Sequence, residues 1–216
     1  MKKSLAPFVI IALLAIVGVL VYLCIPTKGG KDNAIAGLEE PVQTELKKTD
    51  ETGTSFKKAG YDVDVTYLYK YDIDALVVST HDYPGIGIQD QLSPRDLGVA
   101  WGKVAELNTT IDFQWRQGGR FLFWNIDDPD DYATIGGAEG MQCCSNNHII
   151  PADSTVKKQL KKVQKGDHIK VHGYLVSIEG DKSSLRTFTW NSSTSRLDEG
   201  DGACEVIYTT SIEIIE

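Results

Sequence analysis

Between Asp62 and Tyr71 apolar and polar positions alternate, with Val63, Val65, Tyr67, Tyr69 and Tyr71 against Asp62, Asp64, Thr66, Leu68 and Lys70, a pattern that predicts a half-buried strand. Residues 73–80 are more continuously apolar and predict a buried strand, with Asp72 marking a bulge or tight bend between the two. Ser93-Pro94-Arg95-Asp96 has the form of a helix start: an N-cap serine, proline at the first helical position and an acid three residues after the cap. Leu97, Ala100, Trp101 and Val104 follow at helical spacing, so a helix is expected there with Trp101 on its apolar face. Two aromatic segments, 111–116 and 120–125, flank Gly118-Gly119 and predict a hairpin. Residues 127–147 have no period, and the acids from Asp127 to Asp131 read as a loop. Asp153-Ser154 caps a second short helix whose apolar stripe is Val156, Leu160 and Val163 and whose other face is Lys157, Lys158, Lys161 and Lys162. In the strand expected over 168–178 the apolar phase changes at Gly173, the sign of a β-bulge. Strands over 186–191 and 204–215 complete the set.

Seven short strands and two short helices without a βαβ rhythm predict a mainly β, α+β domain, an antiparallel small barrel or sandwich. The stretch from Lys165-Gly166-Asp167 through His168-Ile169-Lys170-Val171-His172-Gly173 to Val176 resembles a strand of OB-like barrels, so an OB-like arrangement is among the expectations. Four further blocks span nearly all of residues 61–216: Asp74-Ala75-Leu76-Val77-Val78-Ser79, Leu92-Ser93-Pro94-Arg95-Asp96-Leu97 with Ala100-Trp101-Gly102, Asn147-His148-Ile149-Ile150-Pro151-Ala152-Asp153, and Gly200-Asp201-Gly202-Ala203-Cys204-Glu205. They resemble recurring blocks of an uncharacterised family of bacterial membrane-associated proteins, a resemblance that implies no activity.

Ahead of this domain, residues 5–25 are 21 positions without a charge, enough at about 1.5 Å per residue to cross the roughly 30 Å hydrocarbon core of a bilayer. The nearest small-x-small cleavage pattern, Ala34-Ile35-Ala36, lies well past the apolar run, and Leu23 rather than a small residue precedes Cys24. An uncleaved signal-anchor is therefore expected, with residues 1–4 cytoplasmic because Lys2, Lys3 and the terminal amine outweigh Lys28 and Lys31 offset by Asp32. Residues 26–60, of balanced charge and without apolar period, read as a flexible stalk, which leaves 61–216 as an extracytoplasmic domain of the bacterial envelope.

That domain carries 14 Lys and Arg against 24 Asp and Glu, a charge of −10, which argues against nucleic acid as a partner. Outside the cytoplasm thiols oxidise, so a disulfide from Cys204 to Cys143 or Cys144 is a candidate, beside free thiols or a bridge within the adjacent pair. His168 and His172 share a strand face but stand roughly 13 Å apart and cannot hold one ion. Cys143, Cys144 and His148 match no structural zinc spacing, and neither metal nor cofactor is expected. His148 itself reads as an ordered loop residue. The loop Asp198-Glu199-Gly200-Asp201-Gly202 has spaced carboxylates and turn glycines suited to a cation or an acid–base pair. Candidate binding residues are Trp101, His148, Asp198, Asp201 and Glu205, and the lysines of the second helix form a candidate basic patch. Nucleophile-elbow, zincin and P-loop patterns are missing, so the expectation leans away from an enzyme toward a tethered module that binds another envelope protein or a ligand. The alternative is an envelope hydrolase or metal-dependent enzyme using His148 and the 198–205 loop.

Overall fold

The computed structural model describes residues 30–183, 186–195, 197 and 202–215. They form ten strands and five short helices. In chain order these are β1 (Val42–Glu45), β2 (Gly53–Lys58), β3 (Tyr61–Asp82), α1 (Ile88–Leu92), β4 (Arg95–Ala100), α2 (Gly102–Glu106), β5 (Arg116–Gly118) and β6 (Phe121–Phe123). They continue with α3 (Pro129–Thr134), α4 (Gly137–Met141), β7 (Cys144–Pro151), α5 (Ser154–Leu160), β8 (His168–Ser183), β9 (Arg186–Asn191) and β10 (Glu205–Ile215). The expected mainly β character is present. Among the described residues no helix is long and apolar enough to cross a membrane, and the apolar run over 5–25 lies outside them.

Five strands pair successively and return to their start. β3 pairs with β4, β4 with β7, β7 with β10, β10 with β8, and β8 with β3. Every one of these pairs is antiparallel except β7 with β10. Inside the ring lie Val77, Leu97, Val99, Ile149, Ile169, Val171, Leu175 and Ile207, all essentially inaccessible to solvent. A second apolar cluster, including Val63, Val65, Ile150, Val176, Ile178 and Val206, occupies the other face of the same strands. There Tyr67 stacks on Tyr174 with ring centroids 4.0 Å apart.

The two strands expected before and after Asp72 are one strand, β3. Its register shifts fall between Tyr67 and Tyr69 and between Val77 and Ser79, not at Asp72. Leu68 is the extra residue of the first shift, and it turns the odd-numbered positions from the outer cluster, with Val63, Val65 and Tyr67, to the inner core, with Tyr71, Ile73 and Ala75. The irregularity expected at Gly173 does lie opposite that glycine, but the extra residue belongs to β10, between Thr209 and Ser211. A Cβ on Gly173 would stand 2.3 Å from the Tyr208 carbonyl oxygen, so the close approach of the two backbones excludes any other residue.

The helix expected from Ser93 is instead the strand β4, and this corrects the helical reading. Asp96 to Ala100 are all buried, because β4 has a strand on each side, the core on one face and the β5–β6 hairpin on the other. A strand covered on both faces loses its alternation, and Leu97, Ala100, Trp101 and Val104 then match a helical spacing by coincidence. The Ser93 hydroxyl donates to the Asp96 carboxylate at 3.2 Å, the local bond that mimics a capping box. Gly98 separates the two readings experimentally. A Cβ there would meet Leu122 Cδ1 at 2.7 Å and Ser79 Cβ at 3.2 Å. Gly98→Ala is therefore expected to cost about 1–3 kcal/mol in urea unfolding, whereas in a helix it would gain about 1 kcal/mol.

The stalk reading of 26–60 is also corrected from residue 30 onward. β1 pairs with β3 along Val42 to Glu45, β2 pairs with β3 along Gly53 to Lys58, and Leu38 is buried in the main core. These edge strands contribute backbone hydrogen bonds with polar side chains, so no apolar period announces them. The helix expected from Asp153-Ser154 is α5, where Asp153 accepts from the Thr155 and Val156 amides and Val156 and Leu160 are buried. Residues expected to be irregular contain α3, capped by Asp128, and α4. The hairpin is shorter than expected, three residues per arm, around Gly119 and Arg120.

Candidate functional site

Register brings three ionisable side chains into one row. His81 of β3 lies opposite Asp96 of β4, and Asp96 lies opposite His148 of β7, so the three project from the outer face of adjacent strands. His148 is thus a buried strand residue rather than the expected loop residue. Asp96 is completely buried and is the hub. Its carboxylate accepts from the Tyr83 hydroxyl at 2.9 Å and from Arg120 Nη1 at 2.8 Å, and His148 Nδ1 lies 2.9 Å from Oδ2. Burial by itself raises the Asp96 pKa, but the hydrogen bonds and charges of His148, Arg120 and Tyr83 outweigh it and hold the carboxyl below its ordinary value. Burial and the Asp96 charge push the Tyr83 phenol up, so it stays a neutral donor. Burial lowers the His81 pKa against the opposing pull of Asp96 and Asp82.

Arg120 fastens the hairpin over this row. It follows Gly119 in the turn, and the two have φ values of 73° and 59°, the consecutive left-handed pair of a type I′ turn. An arginine in that region is strained, and its side chain supplies the compensation. Nη1 reaches Asp96 and the Ser93 carbonyl, Nη2 donates to Asp90 of α1 at 2.8 Å, and the guanidinium lies 3.6 Å from the centroid of the Tyr83 ring. Asn146 of β7 donates to the Arg120 carbonyl at 3.0 Å and accepts from Gln117 at 2.6 Å, completing the attachment.

Beside this network opens a cleft of about 500 Å³, lined by Arg120, Phe121, His148, Trp190 and Cys204 among others. The His148 and Trp190 ring centroids are 4.9 Å apart. His148 Nδ1 lies beside the Asp96 carboxylate, and the ring borders the cleft. A planar group in the cleft would meet the Trp190 and His148 rings. The Arg120 charge is already shared by Asp90 and Asp96, so among the described residues the cleft offers no uncommitted guanidinium for a phosphodiester.

Among the described residues, the other expected site residues do not join it. Trp101 is buried in the main core, where its amide donates to the Cys143 carbonyl. Asp198 and Asp201 lie outside the described residues. Glu205 is buried opposite Asn147, on the face away from His148, and lines a second cleft of about 490 Å³ with Cys144, Trp124 and Tyr132. Cys204 lines both clefts. His168 and His172 pair with Asp74 and Asp72 respectively across β8 and β3. Among the described residues no group of three or more His, Cys, Asp and Glu could hold a metal ion.

Cys143, Cys144 and Cys204 are thiols, so the expected disulfide of Cys204 with either neighbour is not formed. Burial first, then the charges of Cys143 and Glu205, push the Cys144 thiol up to about 12. Peptide mapping after iodoacetamide at neutral pH is expected to find Cys144 the slower of the adjacent pair, and no disulfide-linked peptide.

Sequence reasoning missed Asp90, Asp96, Arg120 and Trp190. In the sequence Asp96 reads only as the acid three residues after a helix cap, and Arg120 only as the first residue of the second hairpin arm. Comparison of the chain with protein-family models, with curated proteins and with solved structures finds no match.

Proposed function

We propose that this chain is a single-pass envelope protein, anchored by residues 5–25 with its N-terminus cytoplasmic, whose extracytoplasmic domain is a closed five-stranded OB-type barrel that binds a ligand without transforming it. Three features support the barrel. The pairing of β3, β4, β7, β10 and β8 returns to β3, β7 and β10 are the parallel pair, and α5 bridges β7 and β8. The binding reading is carried by the cleft against Trp190 and His148, with its floor held rigid by the Asp96 network. Its chemistry suits a planar, uncharged group presented by a small molecule or by a side chain of another envelope protein. The domain charge of −10 and the committed Arg120 both disfavour nucleic acid.

A thermal-shift screen of the full chain in detergent, with planar heteroaromatic fragments as probes, tests this. Fragments that raise the midpoint of the wild-type chain are expected to leave Trp190→Ala unmoved, since losing an aromatic anchor costs about 2 kcal/mol, close to 30-fold in affinity. Hits that stabilise both chains equally would sink the reading. The hydrolase alternative is favoured by one observation, that Cys204 and the Asp96-oriented His148 line the same cleft. It requires Cys204 to alkylate faster than Cys143 and Cys144, and His148→Asn to slow that reaction about tenfold or more.

A further inference from the structure

The chain leaves the sheet toward its N-terminus beside the lysines of α5. Gly30 pairs in parallel with Lys165. A Cβ on Gly30 would lie 1.8 Å from the Lys165 carbonyl oxygen, and one on Gly166 would lie 2.0 Å from that of Lys31. The contact is therefore backbone against backbone. Asn33 Nδ2 donates to the Gly166 carbonyl at 3.0 Å, the Ile35 amide donates to the Ala105 carbonyl at 3.0 Å, and Lys165 Nζ sits 2.5 Å from Asp32.

The helix α5, which carries Lys157 and Lys158 and runs into a turn holding Lys161 and Lys162, is held as firmly. Asp153 caps its start, and Val156 and Leu160 are buried beneath it. At its end Arg95 Nη1 donates to the Leu160 and Val163 carbonyls at 3.1 and 2.9 Å, while Asp82 grips the same guanidinium through both oxygens. Lys158, Lys161 and Lys162 are exposed, and Lys157 is half-exposed. The acids beside these lysines are each engaged: Asp153 caps the helix, Asp167 accepts from the Gln164 amide, Asp82 pairs with Arg95 at the helix end and Asp32 pairs with Lys165. The surface is basic on a domain whose charge is −10.

We propose that this lysine face rests on the anionic headgroups of the membrane that holds residues 5–25, and so sets the orientation of the domain. This rests on the anchoring reading above. From Ile25 to Gly30 the chain reaches at most about 17 Å, part of which lies within a headgroup layer about 5–7 Å deep. Lys165, next to Gly30, therefore stands within one or two Debye lengths of the lipid surface, taking about 8–10 Å for each at physiological salt, and Lys161 and Lys162 precede it by only a few positions. An acidic domain tethered so closely is repelled by anionic lipid unless it turns a basic face toward it. α5 is that face, and the Gly30–Lys165 contact places it at the tether.

The experiment uses the full chain reconstituted into phosphatidylcholine vesicles, with and without about 30% phosphatidylglycerol, and reads acetylation of each lysine by mass spectrometry. Lys158, Lys161 and Lys162 are expected to react about fivefold more slowly on the anionic vesicles, and this protection is expected to vanish in roughly 0.5 M salt. Lys57, whose side chain is 81% exposed at the edge strand β2, is expected to react equally on both. Equal reaction of the α5 lysines on both vesicles would overturn the proposal, as would protection by inorganic phosphate on phosphatidylcholine alone. Replacing Lys158, Lys161 and Lys162 by Glu is expected to abolish the remaining protection of Lys157, and its persistence would also count against the proposal. Flotation on phosphatidylcholine vesicles after alkaline wash tests the anchor separately. A chain removed by that wash would end the anchoring reading, while the anionic vesicles still decide the docking.

Discussion

Asp96→Asn is expected to lower the unfolding free energy by about 3–5 kcal/mol, measured by urea denaturation, because it leaves Arg120 and His148 without the buried charge they face. The asparagine keeps the shape of the site, so the loss is electrostatic rather than a packing defect. Tyr83 donates to Oδ2 and Ser93 to Oδ1, so the single amide oxygen can keep one of these bonds and the other is lost with the charge. The same carboxylate predicts the acid limb of the stability curve. Its folded pKa lies below the unfolded value of about 3.9, so its contribution is complete above that value and is lost as pH falls toward the folded pKa. His81 acts earlier and in the same direction. Its folded pKa is depressed, so the unfolded chain takes up its proton first and stability declines as pH drops below about 6.5. Unfolding midpoints from pH 8 to pH 3 are therefore expected to fall in two stages, and the lower stage is expected to shrink in Asp96→Asn.

Arg120→Ala is expected to be nearly as severe, again about 3–5 kcal/mol, because it strips partners from both Asp90 and Asp96 and releases the hairpin from Tyr83. A second substitution reads the strain separately. Arg120→Gly loses the same contacts but suits the left-handed backbone, and is expected to be about 1 kcal/mol less damaging than Arg120→Ala. Combining Arg120→Met with Asp96→Asn is expected to cost less than the two changes summed, by about 1–3 kcal/mol, since each removes the group the other strands. Strict additivity in that cycle would mean that the 2.8 Å contact between them carries no coupling. Fluorescence of Trp190, 5.4 Å from the Arg120 guanidinium across the cleft, is expected to change with release of the hairpin.

Much of the β-rich plan was legible. β3, β8 and β10 announce themselves because half of each strand faces a core and half does not, and α5 carries both a side-chain cap and a stripe. β4 was misread because it is covered on both faces, where alternation disappears. β1 and β2 were passed over because strands that supply only an edge need no apolar face. Of the candidate binding residues among those described, His148 belongs to the cleft against Trp190 and Trp101 and Glu205 do not. Trp101 was legible as core, since its spacing with Val104 reported burial correctly even though the element was wrong.

Local composition by itself determined the apolar run over 5–25, the acidic balance of the domain, the mainly β class and the lysine face of α5. These depend on neighbours within a few positions, where periodicity and capping are written directly. The site was decided by tertiary structure alone. His81, Asp96 and His148 meet because β3, β4 and β7 pair in one register, and a slip of one residue would turn each to the opposite face. Arg120 reaches them only because a strained turn folds the hairpin back over β4. A charge can be buried where enough partners converge to replace water, and that convergence belongs to the folded chain rather than to any stretch of it.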